Sequence, residues 1–324
     1  MAPQQDLSRR TKVGALLAHA PLCKVIGDWQ MMKHVFRLPG HNETGGICWF
    51  CRACPATFKM ANATAPWRTQ RLNHWDVVSR IVASGNTISP LMTVPFFNVQ
   101  RVMRIDWMHV CDLGVTADWL GQMLTWLMRK QPGRNITERL ARLRDLIDAA
   151  YIRTSPDTRI DSITPGLLNL NGNAPKLLVH AAECRCMVPV GVDLATHQLD
   201  PTDPTENTIQ AAMFALSACY DVLSRGDDRA PALVARECRR FCTLYVALEE
   251  VNPVFWVRPK LHLFQEMVEM LQGSSPSNNW TYRDEDFGGA AVQLARSRGG
   301  PNGAHNAGQR LLTKFSIRHR VPRL

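Results

Sequence analysis

Four stretches between residues 115 and 252 repeat apolar side chains at the three- and four-residue spacing of a helix, so this part of the chain must bury helix against helix. In TADWLGQMLTWLMRK, Leu120, Met123, Leu124 and Leu127 fall on one stripe, and Lys130 closes the last turn before Pro132 and Gly133. In TERLARLRDLIDAAY, Thr137 is placed to cap, while Leu140, Leu143, Ile147 and Ala150 recur beneath an arginine-rich face. The spacing predicts two longer helices over 207–224 and 231–251. Outside the block, PLCKVIGD at 21–28 reads as a short buried strand ending in an acid, and 73–84 reads as a helix. FWVRPKLHLFQEMVEMLQ reads as an extended piece running into a helix, and DEDFGGAAVQLARSR as another helix.

Composition narrows the setting. With 324 residues, 45% hydrophobic and 20% charged, the chain can bury one large core or two modest ones. No window approaches eighteen apolar residues, and the first residues lack a secretory apolar run, so the expectation is an intracellular, reducing environment without membrane association. There, clustered cysteines bind metal more often than they pair with each other. A net charge of +10 favours a polyanionic partner over an acidic small molecule.

The chemistry-bearing residues form short groups. Cys48 and Cys51 in CWFCRAC have the two-residue gap that lets two thiolates reach one tetrahedral Zn²⁺ from a single turn. Three reduced, buried cysteines are the alternative, and Cys54 is one too many for a simple knuckle. Asp106 and His109, three apart, either share a metal or a proton, or form a capping acid beside a hydrogen-bonded imidazole. His262 and Glu266, four apart, share a helix face and are both competent for zinc, though an exposed amphipathic helix explains them equally well. Glu285 opens a helix, where acids favour the macrodipole. There is no G-x-S-x-G, P-loop, dinucleotide fingerprint or H-E-x-x-H, which leaves metal-bound carboxylates acting on phosphates.

In order, these stations are Gly27-Asp28, GHNETGGICWFC, DWMHVCDLG, the helical block, PKLHLFQEM and YRDEDFGGAAVQLARSR. The series resembles the CACTA-like (CMC superfamily) DDE transposases, whose members carry G-D, G-H-x-G, C-x2-C, D-x-M-H, paired histidines and a closing acid in that order. The resemblance implies an α-rich α/β fold: an incomplete RNase H-like domain with a large helical insertion. Residues 1–60 would hold a partial strand and a zinc-knuckle loop, 61–255 the helical insertion, 256–300 the returning helices with the closing Glu, and 301–324 a basic tail.

Carried over residue by residue, Asp28 matches the second Asp of the catalytic triad and Glu285 the closing Glu. These would hold Mg²⁺ in a two-metal phosphoryl transfer. Cys48 and Cys51 match the zinc knuckle and His262 the first of the paired histidines, with Glu266 standing where the second would be. Asp106 and His109 match the D-x2-H signature, in a structural or metal-supporting role. The family's first Asp lies upstream of the G-D, and only Asp6 precedes Asp28. The expectation is therefore a nuclear, transposase-derived DNA-binding protein that does not cut. Its basic residues Arg296, Arg298, Arg310, Lys314, Arg318 and Arg320 would contact DNA, with homo-oligomerisation open. The alternative is a zinc-stabilised helical adaptor without nucleic-acid chemistry. Cys54, Cys184 and Cys186 have no assigned role.

Overall fold

The structure is a computed structural model that describes residues 24–40, 46–94, 96–225, 231–270 and 279–282. The chain separates into two units, Met1–Asn279 and Trp280–Leu324. In the second unit the description covers Trp280 to Tyr282, where the Trp280 and Tyr282 rings meet edge to face at 5.6 Å. Glu285 and the six basic residues from Arg296 to Arg320 lie outside the described residues.

In the first unit, the expected N-terminal strand is realised as β1 (Val25–Gly27), which is paired in parallel with β2 (Met103–Ile105). Val25 stands opposite Met103 and Gly27 opposite Ile105. β2 did not show in the sequence because three residues are too few for period-two alternation to register. Asp28 ends β1 and starts α1 (Trp29–Phe36), its carboxylate accepting the Met31 N–H at 2.6 Å as an N-cap. Arg37, at φ 59°, ends that helix in the left-handed region.

Two short helices, α2 (Pro66–Thr69) and α4 (Val99–Val102), flank α3 (His74–Ala83). A capping box opens α3: the Asn73 side chain accepts the Asp76 N–H at 3.0 Å and Asp76 returns the bond at 2.8 Å. The helix is the one expected over 73–84.

After β2 the chain enters a π-helix, Met108–Thr116, which runs directly into α5 (Ala117–Lys130). Lysines from elsewhere take up two of its carbonyls. Lys260 Nζ donates to the His109 carbonyl at 2.6 Å and Lys176 Nζ to that of Leu113 at 2.8 Å.

α6 (Ile136–Thr154) is capped by Asn135, which accepts the Glu138 N–H at 2.9 Å. This corrects the expectation for Thr137, which lies inside the helix. α7 (Ala181–Gln198) was not visible in the sequence because Pro189 sits within it and its two faces are not clearly separated. α8 (Pro204–Arg225), α9 (Pro231–Val251) and α10 (Lys260–Met270) complete the bundle, with α8 against α7 and α9, and α10 against α9 and the π-helix.

The core is centred on α5, which is buried on almost every side rather than along one stripe, Asp118, Gln122 and Thr125 included. Trp119 packs edge-on against Phe241 and Tyr245, and tilted against Phe255, at centroid distances of 5.4, 5.2 and 5.6 Å. Gln122 pins the segment leading to α10. Its carbonyl oxygen accepts from the Trp256 N–H and the Tyr245 hydroxyl, each at 2.9 Å, and its amide donates to the Trp256 carbonyl at 3.1 Å. The described part of the protein is α-rich with one small sheet, and none of its helices is long and apolar enough to cross a membrane.

Candidate metal centre and carboxylate pair

The Cys48–Cys51 turn is fixed in part by its own backbone. The Phe50 N–H donates to the Cys48 sulfur at 3.3 Å, the charge-stabilising bond of a thiolate knuckle. Cys51 bridges antiparallel to Arg71, and the Leu72 N–H donates to the Phe50 carbonyl at 2.9 Å, so the segment before α3 braces the turn. From the other end of the chain, α10 presents His262 and Glu266 one turn apart on its buried face.

These four side chains converge. One donor atom from each of Cys48, Cys51, His262 and Glu266 lies within 4.8 Å of every other, and all four residues are buried. The Cys51 sulfur is 3.2 Å from His262 Nε2, and His262 Nε2 is 3.5 Å from a Glu266 oxygen. The group can hold a metal ion. Two sulfurs, an imidazole nitrogen and a carboxylate oxygen, closed to water, are a donor set compatible with four-coordinate Zn²⁺.

Burial pushes the Cys48 thiol up, but a hydrogen bond from Cys51 and the nearby His262 bring it down to about 6. Cys51 moves upward, as the donor in that bond and through burial. A dication held there would favour loss of a proton from both thiols, since the thiolate is the form that ligates.

Around this shell, Arg71 grips Glu266 bidentately at 2.7 and 2.9 Å. Trp67 meets the His262 ring edge to face at 4.6 Å, itself fixed by an indole bond to the Met60 carbonyl at 3.0 Å. His262 Nδ1 finds no hydrogen-bond partner among the described residues. Arg71 and Trp67 escaped the sequence reading. Their only signal was proximity to the knuckle.

Cys54 does not join the cluster. It is half-buried rather than the buried thiol its neighbours suggested, and the Thr57 hydroxyl beside it holds its thiol below the usual range. Cys184 is buried in α7, where burial pushes its thiol up, and Cys186 is half-buried.

The second group sits where the two strands end. Because Gly27 is opposite Ile105, Asp28 and Asp106 leave their strands side by side at the carboxyl edge of the sheet, the edge at which α/β folds place ligands. Both acids are engaged locally. Asp28 caps α1, while Asp106 accepts the Met108 N–H at 3.1 Å through one oxygen and pairs with His109 Nδ1 through the other.

The cavity that Asp28, Asp106, His109 and Lys260 line is about 10 Å³, room for about one water. Lys260 is half-buried there, and desolvation together with Lys176 lowers it to about 8 against the pull of Asp118 and Asp28.

The structure therefore joins Cys48, Cys51, His262 and Glu266, and separately sets Asp28 beside Asp106 and His109. No family model matches the chain, and neither a curated protein nor a solved structure matches it.

Proposed function

We propose that the protein is a zinc-stabilised, transposase-derived DNA-binding protein that does not cut its DNA. The observation that carries the reading is the assembly of Cys48 and Cys51 with His262 and Glu266, residues more than two hundred positions apart. These are the residues at which the order of motifs in the chain places the zinc ligands. An incomplete RNase H-like domain accounts for the parallel pair β1–β2 with an acid at each carboxyl end, and for the long helical stretch between Asp106 and His262. The reading without cutting is supported by the local engagement of the two carboxylates, Asp28 as the cap of α1 and Asp106 on the Met108 N–H and His109.

The test is binding of a labelled duplex across a salt series, with and without Mg²⁺, using the intact chain. Binding should weaken steeply as salt rises, because each neutralised phosphate releases counterions. Reversing Arg310, Lys314 and Arg318 should flatten the slope by roughly one unit per contact removed. A salt-independent or undetectable interaction sinks the DNA-binding half. Nicking of supercoiled plasmid in Mg²⁺ that Asp28→Ala abolishes sinks the non-cutting half.

A second reading, an adaptor that contacts protein through its zinc-braced helical body, is favoured by two exposed aromatic side chains. Trp75 is 72% and Phe96 94% exposed. Duplex binding with a steep salt slope decides against it.

A further inference from the structure

Two large aromatic side chains stand clear of the surface near the start of α3 and before α4. Trp75 is 72% exposed and Phe96 94%. α3 turns Val77 and Ile81 into the core, and Trp75 lies off that buried stripe. Phe96 has a φ of 66°, in the left-handed region that a bulky side chain seldom enters. Strain of that kind clusters where a side chain is held for a ligand.

The footing of both rings is fixed. The Trp75 ring meets His74 edge to face at 5.0 Å, His74 meets Phe97 at 6.2 Å, and Phe97 stacks on the buried Phe36 at 6.0 Å. His74 Nδ1 also accepts the Val99 N–H at 3.4 Å, which ties α3 to the start of α4. Phe96 directly precedes Phe97, so both exposed rings issue from this one aromatic row. Because the row is packed without an occupant, binding there has little left to order.

The charge beside the rings suits a polyanion. Residues 77–105 contain no Asp or Glu. Among them Arg101, on α4, is exposed, and its guanidinium has no partner among the described residues. Asp76, next to Trp75, is engaged in the capping box, where the helix N-terminus offsets its charge.

From the two outward rings and the unpaired arginine we infer that this face binds single-stranded DNA, with bases stacked on Trp75 and Phe96 and a phosphate on Arg101. A base has a flat apolar face and needs no preformed pocket, which suits rings that stand clear of the surface. The inference rests on the DNA-binding reading and adds a contact outside the basic C-terminal residues. Under the adaptor reading the same rings would meet protein.

The test is fluorescence anisotropy of a short labelled single strand with the intact chain, beside an abasic strand of the same length and charge. Wild type should bind the base-carrying strand at least about fivefold more tightly. Trp75→Ala and Phe96→Ala should each weaken that binding about fivefold or more. Abasic binding should stay unchanged in both, which also shows that the variants are folded. Trp75→Leu, apolar but without a π face, should fall with Trp75→Ala, whereas Trp75→Phe should keep most of the affinity. Arg101→Gln should weaken both strands alike and reduce the salt slope by roughly 0.7. Equal binding of the two strands by wild type, unchanged affinity in both ring variants, or full affinity in Trp75→Leu overturns the proposal.

The two readings fail separately. Steep, salt-dependent duplex binding with no preference for bases over the abasic strand removes the stacking face and leaves the DNA-binding protein. Base-dependent single-strand binding without duplex binding keeps the stacking face and removes the duplex partner. Binding to none of the three removes both and leaves the rings to the adaptor reading.

Discussion

At the residue scale, Arg71 would balance the charge of a metal held by the four side chains. Two thiolates, a carboxylate, a neutral imidazole and a dication sum to one negative charge in a buried place, and the guanidinium paired with both Glu266 oxygens brings the sum to zero. Arg71→Ala should therefore lower metal affinity by about 10- to 100-fold, measured by competition with a chromophoric chelator. Arg71→Lys should recover only part of it, since an ammonium cannot fork onto a carboxylate. Equal affinity in wild type and Arg71→Ala means that Glu266 is not a ligand. Lys260 offers a pH test. Its folded pKa, about 8, is below the ordinary 10.5, chiefly through desolvation. Between those values the unfolded chain binds the extra proton, so unfolding free energy rises with pH there and is penalised at and below pH 8. The full swing is on the order of 3 kcal/mol. Urea melts from pH 7.5 to 10 (about the window the shift defines) should show a shallower rise in Lys260→Met than in wild type. Parallel pH profiles remove the claim.

At the element scale, the strongest close approach is where residues 176 and 177 cross α5 at Gly121. A Cβ there would strike the backbone of Lys176 and Leu177, which is pinned by the Leu177 N–H bond to the Ala117 carbonyl at 2.8 Å. On propensity alone Gly121→Ala should stabilise a helix by about 1 kcal/mol. Overpacking against fixed backbone outweighs this, and the net loss should be about 1 to 3 kcal/mol by urea denaturation. A gain in stability shows that the crossing segment can move. The elements also show what a sequence displays. Helices with a clean apolar stripe, such as α6 with Leu140, Leu143 and Ile147, were legible, because burying one face leaves a period. α7 was not, since Pro189 reads as a breaker and the fold buries parts of several faces. The π-helix was invisible because nothing in MHVCDLGVT forces a wider turn. What holds it is Lys176 and Lys260, remote in sequence. In the candidate metal centre the four converging side chains were legible from spacing and order, whereas Arg71 and Trp67 depend on which loop the fold lays beside α10.

At the scale of the whole molecule, a metal held by Cys48, Cys51, His262 and Glu266 would join the knuckle to α10. Cys51 and His262 are 211 positions apart, so a bound ion closes a loop of that length in every state that keeps it. In the chain-entropy picture a crosslink spanning a loop this long raises stability by on the order of 5 kcal/mol. For a domain of this size each kcal/mol moves the melting temperature by roughly 2 to 4 °C, so stripping the metal should lower it by on the order of 10 °C. The purified chain should carry one zinc per molecule by elemental analysis. A strong chelator should lower its melting temperature by that amount, and added Zn²⁺ should restore it. The loss cannot be assigned to chelator binding elsewhere if Cys48→Ser melts at the chelated temperature and no longer responds to the chelator. Substituting Cys54 gives the opposite control: among the described residues that thiol bonds within its own turn, so Cys54→Ser should keep both the zinc and the chelator response. A metal-free wild type that melts where the zinc form does would mean that the four side chains pack as a reduced core. The knuckle would then be structure without a cation, and the motif order would lose the observation that now supports it.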